Sequence, residues 1–143
     1  MQERFETFTV LINRISRNIR KIKNHEMAQY GLKSPHVSCL YYLYVCPELT
    51  ATDLCERCAE DKATISRSLT HLEKQGFLIR ETGSKRYKGA LTLTESGQQL
   101  GKQIADKIDC VLSQIGQQMS EQERVQFYHH LTLICDGLDA YTY

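Results

Sequence analysis

The sequence lacks the features that carry a chain into or across a membrane. None of its apolar stretches approaches the ~20 residues that span a bilayer. Its amino end also has no short apolar run followed by a small-residue cleavage site, as a secretory leader would have. We therefore expect a cytoplasmic protein that has no membrane partner.

The motifs of common enzyme classes are missing as well. The sequence has no Gly-rich phosphate loop, no HExxH helix, no paired carboxylates in an obvious cleft, and no Ser or Cys with a motif-placed His. It has no internal repeat, low-complexity tract or linker. With 143 residues, 41% of them hydrophobic and 24% charged, the chain predicts a single globular domain over residues 1–143. We expect neither an enzyme nor a bound cofactor.

The six cysteines lie inside apolar helical patterns, where a reduced thiol acts as a small hydrophobic residue. The only CxxC motif, Cys55 and Cys58, has three interpretations: half a zinc site, a redox dithiol, or two core residues. A structural zinc site needs a second ligand pair, and the sequence has no second CxxC and no HxxxH. A thioredoxin-like dithiol would follow a strand, which is not the pattern here. Because Ala51, Cys55 and Cys58 recur at i, i+4 and i+7, we favour core residues and expect no metal.

Apolar periodicity and capping residues predict six helices and one β-hairpin. Capping boxes at Thr50–Asp53 and Ser120–Glu123 open the third and sixth helices, and Asp61 can cap the fourth. The segments FLIRET and GALTLT, joined by the basic turn GSKRYK, predict the hairpin. The helices are expected at about 8–22, 35–46, 50–58, 62–75, 95–115 and 120–138.

The third and fourth helices, joined by the tight connection Ala59-Glu60-Asp61, predict a helix-turn-helix. Such turns often use Gly, and Ala59 can be accommodated there if its backbone is helical. In the fourth helix Ile65, Leu69 and Leu72 face inward, which turns a polar face outward. That face suits a major groove, since Arg contacts guanine, Ser and Thr bond to bases or phosphates, and an Ala methyl fits beside a thymine methyl. The predicted DNA-binding residues of this helix are Lys62, Ala63, Thr64, Ser66, Arg67, Thr70 and His71.

Basic residues are concentrated in the middle of the chain. Residues 61–88 contain seven Lys and Arg against three Asp and Glu, a balance of +4, whereas residues 119–143 contain four acids and one Arg, a balance of −3. A basic centre between neutral or acidic ends indicates a polyanionic partner, although a run of charges is more often an ordinary solvated face. Lys85, Arg86 and Lys88 lie on the predicted hairpin turn, where a wing reaches phosphates or an adjacent minor groove.

The segments LTATDLCERCAEDKATISRSLTHLEKQGFL and LTLTESG resemble the MarR family of winged-helix regulators. They follow its order of helix-turn-helix, Leu-Glu-Lys-x-Gly, hairpin and Leu-Thr-x-x-Gly, and the resemblance covers nearly the whole chain. It implies a mainly α fold: a winged helix-turn-helix with a two-stranded β-hairpin wing and long N- and C-terminal dimerisation helices. In place of the family's Asp-x-Arg element the wing has Lys85 and Tyr87, so we expect Arg86 to take over the arginine's contact with DNA.

The resemblance also implies a homodimer with two recognition helices in successive major grooves of double-stranded operator DNA. We predict a sequence-specific transcriptional regulator, a repressor released by a small-molecule effector. The DNA-binding lobe is expected at about 34–95 and the dimerisation helices at about 3–24 and 95–141, since helices ~30 Å long at both ends carry more apolar residues than one small domain covers. Two alternatives stay open: a thiol- or metal-responsive regulator of the same fold, and a winged-helix protein-interaction module that does not bind DNA.

The second helix borders the effector cleft in the resembled family, so it supplies the candidate sensor. His36, Cys39 and Cys46 lie along one flank at i, i+3 and i+10. We favour a pocket for an aromatic or apolar effector. A thiol switch or soft-metal site at Cys39 with Cys110 is the alternative. The expected effector or sensor residues are His36, Cys39, Leu40, Leu43, Tyr44 and Cys110.

Overall fold

The structure is a computed structural model, which describes residue 4 and residues 6–81 and 90–142. The chain divides into two compact units, Met1–Ala105 and Asp106–Tyr143. Six α-helices and two strands follow one another in the predicted order within the described residues. They are α1 (Ile12–Glu26), α2 (Ser34–Val45), α3 (Ala51–Cys58), α4 (Lys62–Lys74), β1 (Leu78–Arg80), β2 (Leu91–Leu93), α5 (Glu95–Ile115) and α6 (Glu121–Asp139). A mainly α fold with a two-stranded hairpin is thus confirmed.

Three further short helical stretches complete the helical segments. A π-helical stretch, Glu6–Leu11, precedes α1, and 3-10 turns cover Ala28–Tyr30 and Gly116–Gln118. The predicted capping box of α3 is present, because Asp53 N–H donates to Thr50 Oγ1 at 3.2 Å and Thr50 N–H donates to Asp53 Oδ2 at 2.8 Å.

The core of the first unit forms where α2 packs against α3, α4 and β2, and where α4 packs against β1. Ile65, Leu69 and Leu72 of α4 are buried, as the helical spacing predicts. Each large aliphatic side chain removed from water stabilises the fold by about 1.5–3 kcal/mol. The other fully buried aliphatic side chains are Leu32, Leu40, Leu43, Leu54, Leu78 and Ile104.

The turn of the helix-turn-helix requires a left-handed residue, and Ala59 supplies it with φ 51° and ψ 45°. The Ala59 N–H donates to the Glu56 carbonyl at 3.2 Å, and the Glu60 N–H donates to the Cys55 carbonyl at 3.1 Å. These two bonds are the Schellman ending of a helix, which closes only when one residue turns left-handed. The backbone at Ala59 is therefore not that of a right-handed helix, and Ala occupies a conformation that glycine adopts more easily.

The start of α5 is tied to the end of α4. Thr94 Oγ1 accepts from the Gly97 N–H at 3.1 Å and donates to the Gly76 carbonyl at 2.6 Å, so one hydroxyl caps α5 and fixes the preceding turn. A Cβ at Gly97 would overlap the Phe77 carbonyl oxygen. The strands pair antiparallel, with Leu78 opposite Leu93. These contacts give a physical reason for the Leu-Thr-x-x-Gly motif.

The second unit contains the end of α5 and all of α6. Ser120 and Glu123 form the predicted capping box, with Ser120 N–H donating to Glu123 Oε2 at 2.7 Å. α6 has no buried residue, and its Val125, Leu133 and Leu138 are 62%, 54% and 57% exposed. Within the described residues, no helix combines the length and the apolar character needed to cross a membrane.

The CxxC cysteines do not lie in the core as predicted. Leu54 is the only buried residue of α3, whereas Cys55 and Cys58 are partly exposed and Ala51 is exposed. The side of this short helix that faces the core is centred on Leu54. The predicted inner face, with Ala51, Cys55 and Cys58, therefore lies at the edge of the packed surface. The fully buried cysteine of the first unit is Cys39 on α2.

Candidate nucleic-acid interface

The helix α4, in the position of the recognition helix, presents the polar face that the sequence predicts. Asp61 caps it, because Asp61 Oδ1 accepts from the Thr64 N–H at 2.7 Å, and this bond lowers the pKa of Asp61. The carboxylate also faces the positive end of the helix dipole. Of the predicted DNA-binding residues on α4, Thr64 and His71 are half-buried, and the exposed ones are Lys62, Ala63, Ser66, Arg67 and Thr70.

The exposed side of α4 forms an open depression of about 240 Å³. Arg67 Nη2 donates to Thr64 Oγ1 at 3.3 Å, which leaves most donors of the guanidinium for a partner. Thr70 Oγ1 donates to the Ser66 carbonyl at 3.0 Å. Both side chains are therefore held in place by bonds within the helix. The depression is lined by Ser66, Arg67, Thr70, His71 and Lys74.

Arg80 joins β1 to α4, a role that the sequence analysis missed. Its Nη2 donates to Thr70 Oγ1 at 3.1 Å and to the Ser66 carbonyl at 3.4 Å, and its Nε lies 3.8 Å from Glu73 Oε2. The sequence does predict an inward orientation of Arg80, because residues two apart in a strand lie on the same face and Leu78 is buried. The first strand of the hairpin is thereby fixed against the recognition helix.

His36 and His71 bring the predicted sensor helix and the recognition helix together. Their rings stack with centroids 4.2 Å apart and planes 14° apart. His71 Nε2 donates to the Gly31 carbonyl oxygen at 3.0 Å. His36 Nδ1 accepts from the Lys33 N–H at 3.0 Å, so this ring is neutral in the capped state. From the sequence, His71 was predicted to contact DNA and His36 to contact the effector.

The remaining predicted effector residues differ in their exposure. Cys39, Leu40 and Leu43 are fully buried and pack in the core. Tyr44 is half-buried and lies against α5 at Gly101, where an added Cβ would come within 2.7 Å of the Tyr44 Cβ. Cys110 belongs to the second unit and is exposed.

The predicted wing residues Lys85, Arg86 and Lys88 lie outside the described residues, which end at residue 81 and resume at residue 90. Among the residues that the structure describes, no three His, Cys, Asp or Glu side chains are grouped so that they would hold a metal ion.

Comparison with known proteins agrees with this geometry. A model of the MarR family matches residues 30–86, which include α2, the helix-turn-helix and β1. The structure of the Staphylococcus aureus MepR–DNA complex matches over 93% of this chain and 97% of the MepR chain, with a TM-score of 0.82 and 24% identity. Over residues 30–86 the chain is therefore similar to the MarR family, and its fold is that of MepR.

Other MarR-family structures and related sequences extend the match along the chain. A MarR/EmrR family transcriptional regulator from Acinetobacter sp. ADP1 has a TM-score of 0.83 and 21% identity, with 93% of this chain and 95% of that chain covered. A Bacillus subtilis protein named as the uncharacterized HTH-type transcriptional regulator YwoH is 23% identical over 118 residues, which cover 82% of this chain and 86% of YwoH. The MarR family consists of transcriptional regulators, which are not enzymes.

Proposed function

We propose that this chain is a transcriptional regulator of the MarR family that binds double-stranded operator DNA sequence-specifically, with α4 entering the major groove. The observation that carries the proposal is the exposed face of α4, where Arg67, Thr70 and Lys74 surround an open depression. The opposite face of α4 is buried, and its amino end is capped by Asp61. A rigid helix with hydrogen-bonding side chains on one face has the chemistry of base readout.

The hairpin adds a second contact in this proposal. Arg80 holds β1 against α4, so the strand that precedes the predicted wing residues has a fixed position relative to the recognition helix. Lys85, Arg86 and Lys88 are proposed to contact phosphates or the adjacent minor groove. MepR, with which this chain shares its fold, was solved in complex with DNA. Duplex DNA as the target also makes the cytoplasm the proposed place of action.

A homodimer is part of the proposal, because large apolar side chains remain exposed on the segments predicted to dimerise. On the first helix these are Phe8, Val10, Leu11, Ile12, Ile15 and Ile19. On the end of α5 and on α6 they are Leu112, Ile115, Val125, Phe127, Tyr128, Leu133 and Leu138. Apolar surface on this scale marks an association site. Two chains related by a two-fold axis would present two recognition helices to an inverted-repeat operator.

Repression relieved by a small-molecule effector is the mode of action that we propose, and the effector's identity is open. Of the effector residues predicted on α2, an effector can contact only the half-buried ones, since Leu40 and Leu43 are buried in the core. His36 and Tyr44 are therefore the proposed effector contacts.

Replacing Arg67 with Ala tests the proposed interface. A bidentate contact to a base is worth about 1–3 kcal/mol, so Arg67→Ala should weaken binding to the preferred duplex by that amount and reduce discrimination between sequences. The duplex is obtained by selection from a random library with the wild-type protein, and binding is measured by fluorescence anisotropy. Arg17→Ala is the matched control, because it removes the same charge from an exposed position on α1. Equal affinities for wild type and Arg67→Ala, with unchanged thermal unfolding, would refute the role of Arg67. Failure of the wild type to enrich any duplex would favour a protein-interaction module.

A further inference from the structure

The Thr70 hydroxyl, which lines the depression on α4, is already hydrogen-bonded to two groups of the protein. Its Oγ1 donates to the Ser66 carbonyl oxygen at 3.0 Å and accepts from Arg80 Nη2 at 3.1 Å. Chemistry fixes the direction of both bonds, because a carbonyl oxygen can only accept and a guanidinium can only donate. The single hydroxyl proton of Thr70 is therefore occupied within the protein.

The group that remains on Thr70 is one acceptor. A hydroxyl has one donor and two acceptor lone pairs, and the bond from Arg80 occupies one of the two pairs. Because Thr70 is exposed, its second lone pair can accept from a partner molecule. Phosphate oxygens of DNA are acceptors with no hydrogen to donate, so this hydroxyl does not suit the DNA backbone. It suits a donor on the edge of a base.

Arg80 is held where it maintains this arrangement. Its Nη2 also lies 3.4 Å from the Ser66 carbonyl oxygen, and its Nε lies 3.8 Å from Glu73 Oε2. That Nε is enclosed and has no hydrogen-bond partner among the described residues. The guanidinium therefore faces α4 and orients the Thr70 hydroxyl.

We propose that Thr70 determines specificity by accepting a hydrogen bond from the amino group of an adenine or a cytosine in the major groove, and that Arg80 is the positioning residue that keeps the Thr70 hydroxyl acceptor-only. This inference rests on the proposed function, since it requires α4 to enter the major groove. Adenine and cytosine present an amino donor there, whereas guanine and thymine present acceptors. Thr70 therefore disfavours guanine and thymine at the base that it contacts.

Arg67, one turn earlier on the same helix, has the opposite polarity. Its guanidinium has only donors, one of which binds Thr64 Oγ1 at 3.3 Å. Side chains three residues apart on a helix are neighbours, with Cβ atoms about 5–6 Å apart. Successive bases of a strand are about 3.4 Å apart along the helix axis. Donors and an acceptor thus lie within one or two base pairs of each other, so we expect a guanine close to the contacted adenine or cytosine.

Deletion of single amino groups from the bases tests the role of Thr70. The duplex is the one that the full-length wild type selects from a random library, and each adenine or cytosine is replaced in turn by purine or pyrimidinone, which lack the amino group. At least one replacement should weaken wild-type binding by about three- to tenfold, the contribution of one hydrogen bond. Thr70→Val, which keeps the shape but has no hydroxyl, should not respond to that replacement, whereas Thr70→Ser should respond as the wild type does.

The comparison of wild type with Thr70→Val isolates the contact itself. Any weakening of the base pair by the analogue is common to both proteins and cancels. Deaza analogues that lack the N7 acceptor of a purine make the opposite test. If the effect of an N7 deletion disappears in Thr70→Val, Thr70 is a donor and the proposal is overturned, as it also is if Thr70 is coupled to no amino group. A wild type that enriches no duplex refutes the proposed function and this inference together, whereas an enriched duplex without the coupling refutes this inference alone.

Arg80→Met tests the positioning role, because it keeps the apolar stem and removes the guanidinium. The Thr70 hydroxyl can then rotate and donate, so the preference for the contacted base pair over its reversed form should fall by about three- to tenfold. A purely structural role would lower the affinities for both duplexes equally and leave their ratio unchanged. Arg57→Met is the matched control, since it removes the same charge from an exposed position on α3, and it should leave the ratio unchanged. An unchanged ratio in Arg80→Met, with a wild-type circular dichroism spectrum, would overturn the positioning role.

Discussion

At the scale of single residues, the stacked histidines connect the packing of α2 to the recognition helix. His36 accepts from the Lys33 N–H through Nδ1 and faces the ring of His71, which is itself bound to the Gly31 carbonyl oxygen. Protonation of His36 would remove that acceptor and place a charge beside His71 and Lys33. The pKa of His36 is accordingly lowered, first by burial and then by the charges of His71 and Lys33.

This lowered pKa predicts a loss of stability on mild acidification. The unfolded chain binds the His36 proton near pH 6.5, whereas the folded chain resists it, so the free energy of unfolding should fall as pH drops below about 6.5. The loss should level off below the folded-state pKa. His36→Asn keeps an acceptor for the Lys33 N–H but does not titrate, so chemical unfolding from pH 7.5 to 5 should show a flatter curve. An equal flattening in His25→Asn, which removes an exposed imidazole from α1, would contradict the assignment.

At the scale of elements, close approach explains two small residues of α5. Gly97 touches the turn after α4, where an added Cβ would meet the Phe77 carbonyl oxygen, and backbone cannot move aside as a flexible side chain does. Gly101 lies against Tyr44 of α2 in the same way. The first turns of α5 are thereby packed directly against α2 and the turn that follows α4.

Gly97→Ala should therefore destabilise the protein although Ala favours helices. Overpacking of this kind lowers the free energy of unfolding by about 1–3 kcal/mol, which outweighs a helix-propensity gain of about 1 kcal/mol. Gln99→Ala, an exposed change two residues on, should stay within about 0.5 kcal/mol of wild type. Urea unfolding followed by circular dichroism measures both. A more stable Gly97→Ala protein would show that the turn at Phe77 yields easily.

Local signals in the sequence predicted the elements, whereas contacts between distant segments were out of reach. The capping boxes at Thr50 and Ser120 depend on side chains three residues apart, so the sequence alone predicts them. The left-handed turn at Ala59 was missed because its residue type favours a helical backbone. The bonds from Arg80 to α4 were missed for another reason. They depend on how a strand packs against a helix, which spacing along one helix does not encode.

At the scale of the whole molecule, the distribution of apolar side chains separates two kinds of helix. α4 and the first part of α5 bury their apolar residues within the first unit, as Leu69, Leu72 and Ile104 do. The first helix and α6 have apolar side chains that are exposed to water, and association with another chain would bury them. The same chain therefore has one helix face that is proposed to contact DNA and others that a second copy is proposed to cover.

A charge placed in the proposed dimer interface should separate the chains. Ile15 on α1 is 50% exposed, and Ile15→Asp would leave an unpaired carboxylate in an apolar contact, which weakens association by about 3–5 kcal/mol. Light scattering at micromolar concentration should show a dimer for wild type and a monomer for this variant, which should also lose affinity for the selected duplex because one recognition helix no longer supports the other. Ile79→Asp is the matched control, since Ile79 is 56% exposed on β1, outside the predicted dimerisation helices, and it should remain dimeric. A monomeric wild type that binds the duplex with full affinity would contradict the proposed dimer. Such a result would show that one recognition helix is sufficient for binding.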